Sequence, residues 1–349
     1  MSPNKWITNI PTIKFEPLNK DVIRLDLNEN PYPPSPKVIE CLSVALKGLN
    51  RYPRGDIVEE AKFKLAKYCN VSPENIYICN GSDVLVYTLM EALLNEGDRV
   101  LTFKPTFVSY VFAAKRMGAN VEYINLNPDN MFKPDFNEVV EKIKDKKMFI
   151  LSNPNNPTGN ILLEPGQVEE ILQRYPDVIV VVDEAYYEFS NVTVANLVKD
   201  YSNLIVLRTF SKAFSLAGLR VGYSISSSEV VDYLMKVHGP FPVTSLAYYA
   251  IIGALDDLEY MKVIVRKIIV ERERVYNELS HINGVKVLPS KTNFLLFHCN
   301  IEKLADKLLH YKVAIRDFSR AIGNYYYRVC TGLPKENTAF IEALKSIIK

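Results

Sequence analysis

Val178-Ile179-Val180-Val181-Val182-Asp183-Glu184-Ala185-Tyr186 is a run of five β-branched apolar residues closed by two acids, with a tyrosine three positions past the first acid. The run lacks polar alternation and is too short for a core helix, so it reads as a strand buried on both faces, the kind that parallel sheets covered by helices contain. In open α/β sheets ligands bind outside the carboxyl ends of the strands, and a strand ending in Asp183 delivers its carboxylate to that side. A turn or helix cap is the other use for an aspartate there.

Working outward, similar apolar runs recur near 76–79, 99–103, 121–124, 148–152, 204–208 and 221–225, mostly separated by segments of helical period. With 178–183 they predict an α/β fold whose large domain is a mainly parallel seven-stranded sheet. The break His238-Gly239-Pro240-Phe241-Pro242 stops helix and strand alike, and a long amphipathic stretch from Leu255 to Leu279 follows. Shorter strands at 285–288, 293–298, 312–316 and 326–330, with helices at 301–310 and 335–348, predict a smaller α+β domain. The boundaries expected are 36–240 for the large domain and 241–349 for the small one.

A second stretch, Arg208-Thr-Phe-Ser-Lys212-Ala-Phe-Ser-Leu-Ala-Gly-Leu-Arg220, sets a lysine among hydroxyls and between two arginines, 29 residues after Asp183. Pyridoxal 5'-phosphate needs those groups together: an amine to hold its aldehyde, a carboxylate to keep its pyridine nitrogen protonated, and donors for its phosphate. Lys212 offers the amine and Asp183 the carboxylate. Tyr186 is placed to reach the ring's phenolic oxygen, while Thr209, Ser211 and Arg220 offer hydroxyl and guanidinium donors.

Other pieces lie upstream. Asn80-Gly81-Ser82-Asp83 follows the strand 76–79 and precedes an apolar-periodic helix from Val84 to Leu94, so it is either a phosphate-binding helix N-terminus or a plain capped turn. Tyr110, after the strand 99–103, is either a core tyrosine or a ring stacked on the pyridine. Ser152-Asn-Pro-Asn-Asn156-Pro-Thr-Gly159 ends the strand 148–151 in a double-proline turn that fixes the direction of the Asn156 amide.

These segments, with Leu27-Asn28-Glu29-Asn30-Pro31, Arg51-Tyr52-Pro53 and Tyr327-Arg328-Val329, resemble the fold-type I pyridoxal-phosphate aminotransferases of class I/II. Within that group they most resemble the histidinol-phosphate aminotransferases, over nearly the whole chain. The resemblance implies Lys212 as Schiff-base lysine and proton shuttle, Asp183 on the pyridinium nitrogen, and Tyr186 with Asn156 on the phenolic oxygen. It implies a phosphate held by Gly81, Ser82, Asp83, Thr209, Ser211 and Arg220, with Tyr52 reaching over from a second subunit of a homodimer. An amino-terminal arm, 1–35, is expected to pack with the small domain and the neighbouring subunit. Asn30, Asn156, Arg316 and Arg328 are expected to bind substrate, Arg328 at the α-carboxylate and Arg316 at the phosphate of histidinol phosphate. An ion pair with Asp317 is the alternative for Arg316, and Arg320 a substitute. The implied reaction is ping-pong amino transfer between L-histidinol phosphate or imidazole-acetol phosphate and 2-oxoglutarate or glutamate, in histidine biosynthesis. Aromatic or aspartate-type aminotransferases, a threonine-phosphate decarboxylase and a non-catalytic pyridoxal-phosphate-fold protein are the other readings.

The chain departs from the family in two places. Val84 stands where many relatives carry Glu, and Pro11-Thr-Ile-Lys-Phe15 has no tyrosine where relatives often place one at the substrate phosphate.

The 349 residues carry a net charge of +2 with both signs interspersed, so no basic stripe points to nucleic acid. There is no apolar run of about 20 residues for a membrane span. The start has no long apolar core of a signal peptide, and the five cysteines have no C-x-x-C spacing. A cytoplasmic enzyme with reduced thiols is expected. The four histidines have no ligand spacing, and no metal site is expected.

Overall fold

The computed structural model describes residues 5–8, 10–12 and 17–348. Its central sheet has seven strands: β2 (Ile76–Cys79), β3 (Arg99–Lys104), β4 (Asn120–Asn125), β5 (Met148–Ser152), β6 (Ile179–Asp183), β7 (Leu204–Thr209) and β8 (Gly222–Ile225). They lie in the order β2-β8-β7-β6-β5-β3-β4, parallel except for β8, which runs antiparallel to both its neighbours. The sheet is the α/β architecture expected from the sequence.

The continuous apolar runs have a direct structural cause. Alternate residues of each central strand go to opposite faces, and both faces are covered by helices. Val180, Val182, Leu204 and Val206 join one core with Leu65, Val168 and Ile171, while Val181, Ile205 and Leu207 join a second with Leu85, Leu89 and Leu234. Val180, Val181 and Val182 are all fully buried, each worth roughly 1.5–3 kcal/mol. That packing pins the register, in which Ser152 lies beside Asp183 and Asp183 beside Leu207. β5 and β6 therefore end at one level, and β7 runs two residues further, to Thr209.

A second sheet, wholly antiparallel, has the order β12 (Arg316–Asp317), β13 (Tyr326–Cys330), β10 (Phe294–Cys299) and β9 (Val285–Val287). It packs with the helices Leu258–Ser280, Leu304–His310 and Pro334–Ile348. The strand expected at 312–316 is two strands: β11 (Val313–Ala314) pairs in parallel with β1 (Ile23–Arg24), and the chain then crosses at Ile315 into β12. β1 lies in the expected arm 1–35, part of which falls outside the described residues, as does part of the Pro11–Phe15 segment.

The helix Ser245–Leu255 packs on the helices Pro36–Ala45 and Gly55–Cys69 so closely that a Cβ on Gly253 would lie 2.7 Å from Lys37 O. It thus sits with helices that precede the first strand of the central sheet. Its sequence, Ser-Leu-Ala-Tyr-Tyr-Ala-Ile-Ile-Gly-Ala-Leu, is apolar almost all round, so it has no amphipathic stripe to announce a helix. No helix among the described residues is long and apolar enough to cross a membrane.

Candidate active site

At the carboxyl edge of the first sheet, Asp183 is 4% exposed. Its Oδ2 accepts the Tyr110 hydroxyl at 2.7 Å and its Oδ1 accepts Ala185 N at 3.0 Å. Burial pushes its carboxyl up to about 6, against the pull of those two donors. Tyr110 gives its hydroxyl to Asp183 and packs its buried ring edge-on against Phe107, centroids 5.5 Å apart. Tyr110 sits in the first turn of the helix Ser109–Arg116, which turns its side chain under the strand end. It is a support for Asp183.

Glu184 points the other way. With Arg208 it forms a buried pair at 2.9 Å, and Thr193 and Val194 N donate to the same carboxylate at 2.8 and 2.7 Å. Tyr187 covers the guanidinium face at 3.8 Å. This floor ties the end of β6 to that of β7, directly behind Asp183 and Thr209.

Lys212 follows β7 by three residues. Its Nζ donates to Leu27 O at 3.2 Å. Burial, and then the nearby Arg328 charge, bring its amine down to about 8. Tyr186 is 3% exposed, and burial pushes its phenol up to about 12. Asn28 Nδ2 donates to the Tyr186 hydroxyl at 2.9 Å. Asn30 is bonded to backbone on both sides of its amide: its Nδ2 donates to Lys212 O at 2.9 Å and Ala213 O at 3.2 Å, and its Oδ1 accepts Tyr32 N at 3.0 Å. It holds the lysine loop.

Gly81 has φ 91°, and a Cβ there would lie 2.7 Å from Arg220 Nη2. A Cβ on Gly222 would collide with Ser82 N. Only glycine lets the start of the helix Ser82–Leu93, with its free N–H groups, meet this arginine and strand. Thr209 Oγ1 lies 3.0 Å from Ser211 Oγ, which also receives Arg220 Nη1 at 3.4 Å. Gly81, Ser82, Asp83, Thr209, Ser211 and Arg220 therefore form one small basin of donors.

On the second sheet, Arg328 of β13 is 6% exposed. Its Nη1 donates to Asn156 Oδ1 at 2.6 Å and its Nη2 to Asp26 O at 2.8 Å, while Nε, also buried, has no partner among the described residues. Phe294 and Phe318 flank the guanidinium at 5.3 and 5.1 Å. Burial lowers its affinity for its proton, and Arg316 acts in the same sense. Arg316 is its direct cross-strand partner, on the same sheet face and exposed. Arg320 lies beyond this register, in the short helix Ser319–Ile322. Tyr52 is 75% exposed, its ring stacked on Phe241 at 4.5 Å and 14°.

A cleft of about 500 Å³ borders these groups, lined in part by Glu29, Asn30, Ser211, Ser215 and Cys330. Sequence reasoning missed Asn28, the carbonyls of Asp26 and Leu27, Asn293 and Phe318. Asn28 lay within a quoted motif, but a backbone carbonyl has no side-chain signature.

The residues fit pyridoxal phosphate. Lys212 has an amine poised near neutrality, Asp183 is a buried carboxylate with no ion-pair partner among the described residues, and the glycine-walled basin has the donors an anion needs. The side-chain amide nitrogen of Asn156 and the hydroxyl proton of Tyr186 have no acceptors among the described residues.

Comparison with known proteins agrees. The family described as aminotransferase class I and II matches residues 20–344. The chain is 38% identical over 332 residues to a histidinol-phosphate aminotransferase of Caldanaerobacter subterraneus, covering 93% of each chain. It is 37% identical over 347 residues to that of Sulfurisphaera tokodaii, covering 99% of this chain and 95% of the other. The solved histidinol-phosphate aminotransferase of Sinorhizobium meliloti, in complex with pyridoxal-5'-phosphate, superposes with a TM-score of 0.89 at 25% identity, covering 99% of this chain and 96% of that one. The chain belongs to the class I and II aminotransferase family, and it is a pyridoxal-phosphate-dependent transaminase with the fold-type I architecture.

Proposed function

We propose that this enzyme moves an amino group between L-histidinol phosphate and 2-oxoglutarate, giving imidazole-acetol phosphate and glutamate, as a step of histidine biosynthesis in the cytoplasm. The names of its relatives support the substrate, and one observation carries it: Arg316 and Arg328 face each other across two strands. Like charges directly opposite are unfavourable, so the pair calls for an anion between or above them. In histidinol phosphate a phosphate-bearing methylene stands where glutamate has its α-carboxylate. One buried arginine and one exposed arginine suit two substrates whose anions differ in size and reach, the buried fork taking either and Arg316 the larger dianion.

Bound pyridoxal phosphate supplies an electron sink for the carbon that bears the amino group. Lys212, with an amine near neutrality, would take the proton from that carbon and return it on the far side of the transferred nitrogen. Asp183 keeps a proton on the ring nitrogen, and Tyr110 and Ala185 N keep Asp183 aimed. Asn156 and Tyr186 donate to the phenolic oxygen, and the basin from Gly81 to Arg220 holds the phosphate. Asn156 also accepts from Arg328, so cofactor and substrate anion share one amide.

The reading includes a homodimer. Ile39, Val44, Leu46, Leu49 and Tyr52 expose large apolar side chains within one short stretch, a surface that a second copy would cover, with Tyr52 delivered to the partner's phosphate. The amino-terminal arm, the cofactor-bearing part and the part built on the second sheet close around the site.

The test is a single half-reaction followed by visible absorbance. Histidinol phosphate should convert the bound cofactor rapidly and histidinol slowly, with glutamate driving the same change. Equal rates for the phosphorylated and unphosphorylated compounds would remove histidinol phosphate as the substrate, and release of carbon dioxide would point instead to a decarboxylase.

A further inference from the structure

Residues 26–28 cross the mouth of the site, and each touches a different member of it. Asp26 O receives Arg328 Nη2 at 2.8 Å, Leu27 O receives Lys212 Nζ at 3.2 Å, and Asn28 Nδ2 donates to the Tyr186 hydroxyl at 2.9 Å. The crosspiece is itself pinned. Asn293 Nδ2 holds Asn28 O at 3.1 Å, and Cys330 N donates to Leu25 O at 2.9 Å. Asn28 is 2% exposed and has φ 53°, a left-handed conformation that asparagine adopts more readily than most residues. Its Oδ1 is buried without a partner among the described residues. A residue held in this backbone region with half its amide unsatisfied is retained at some cost in stability, which points to a use for the other half.

That other half sits on Tyr186. A phenol has one proton and two lone pairs, and Asn28 fills a lone pair. The proton is left to be donated, and it has no acceptor among the described residues. We infer that Asn28 is a positioning residue of the cofactor site: by donating to the Tyr186 hydroxyl it reserves that hydroxyl's own proton for the cofactor's phenolic oxygen. This rests on the placement of Tyr186 against that oxygen. It makes the crosspiece part of the machinery that sets the cofactor's ionisation, beyond its contacts to Arg328 and Lys212.

The experiment is a pH titration of the visible absorbance of the bound cofactor, without substrate, in the loaded enzyme. Asn28→Gly keeps the left-handed backbone at no strain and removes the amide. Asn28→Asp, a second variant that tolerates the same backbone, replaces the donor by an acceptor and draws the tyrosine proton towards itself. Tyr186→Phe is the reference and should raise the cofactor's titration midpoint by about one pH unit, since a donor to the phenolic oxygen is lost. Both Asn28 variants should raise it in the same direction, and Asn28→Gly should add nothing in the Tyr186→Phe background. A midpoint shifted by Tyr186→Phe but unmoved by either Asn28 variant would overturn the inference alone. An additive shift in the double variant would also overturn it, because Asn28 would then act by another route. No shift in Tyr186→Phe would remove the placement of Tyr186 and this inference together.

Discussion

The two walls of the site are built on different principles. The first-sheet wall is made of side chains at strand ends, Asp183 on β6 and Thr209 on β7, held in register by valines and leucines packed on both faces. The opposite wall is the crosspiece, residues 26–28, and one strand of the second sheet, and it presents carbonyls and amides as much as charges. In the proposed reading the first wall serves the cofactor and the second the substrate, the second wall's arginine, lysine contact and asparagine all meeting at the same short run of backbone.

The largest effect should come from the residue both walls touch. Lys212→Ala should slow the half-reaction by at least about 10⁴-fold, as expected when the group that moves the proton is removed. Stopped-flow absorbance with histidinol phosphate checks it, and a loss under tenfold would mean that the amine is not the proton carrier.

On the first wall, Asp183→Asn should cost about 10³-fold in turnover while stabilising the protein stripped of cofactor. Folded Asp183 binds its proton at about 6 against an ordinary 3.8, more tightly than in the unfolded chain. Its contribution to stability is therefore complete below pH 3.8 and is lost as the pH rises through 6, about 3 kcal/mol in all. Urea unfolding of the stripped protein should find Asp183→Asn more stable at pH 7 and the difference gone near pH 4. A variant less stable at both would show that the site carries no such strain.

On the second wall, Arg328→Lys should lower kcat/KM by about 10²-fold for glutamate and histidinol phosphate alike, because both anions lose a planar fork. Arg316→Ala should separate them, with a loss of about tenfold or more for histidinol phosphate and little for glutamate. Equal losses in Arg316→Ala would make it a structural cation.

Much of the first wall was legible because its signals are local. Five β-branched residues and an acid specify a buried strand and its end, and a lysine among hydroxyls and arginines specifies its own chemistry. The second wall was less so. Asn28 and Asn30 stand two residues apart in one motif, and only the left-handed turn at Asn28 decides which of them faces Tyr186 and which is spent on the lysine loop. The break of 312–316 into two strands was hidden for a similar reason, since both halves read as strand and the crossing at Ile315 depends on which partners flank it.

Tyr110 gives the smallest predicted effect and the sharpest choice between two placements. A tyrosine stacked on the ring by its face would tolerate Tyr110→Phe, because the aromatic face survives the loss of the hydroxyl. In the structure the hydroxyl is the bonded part. It donates to Asp183 at 2.7 Å and lowers that carboxyl against the effect of burial. Its removal leaves Oδ2 with one donor fewer in a buried place, a cost of about 1 kcal/mol. Asp183 should then hold its own proton to a higher pH, and the cofactor should bind about fivefold more weakly at neutral pH, the gap narrowing as the pH rises and Asp183 ionises again. Equilibrium dialysis of Tyr110→Phe with pyridoxal phosphate across pH 6 to 9 measures both. Affinity equal to the parent at every pH would return Tyr110 to the ring face and leave Asp183 supported on this side by the Ala185 amide alone.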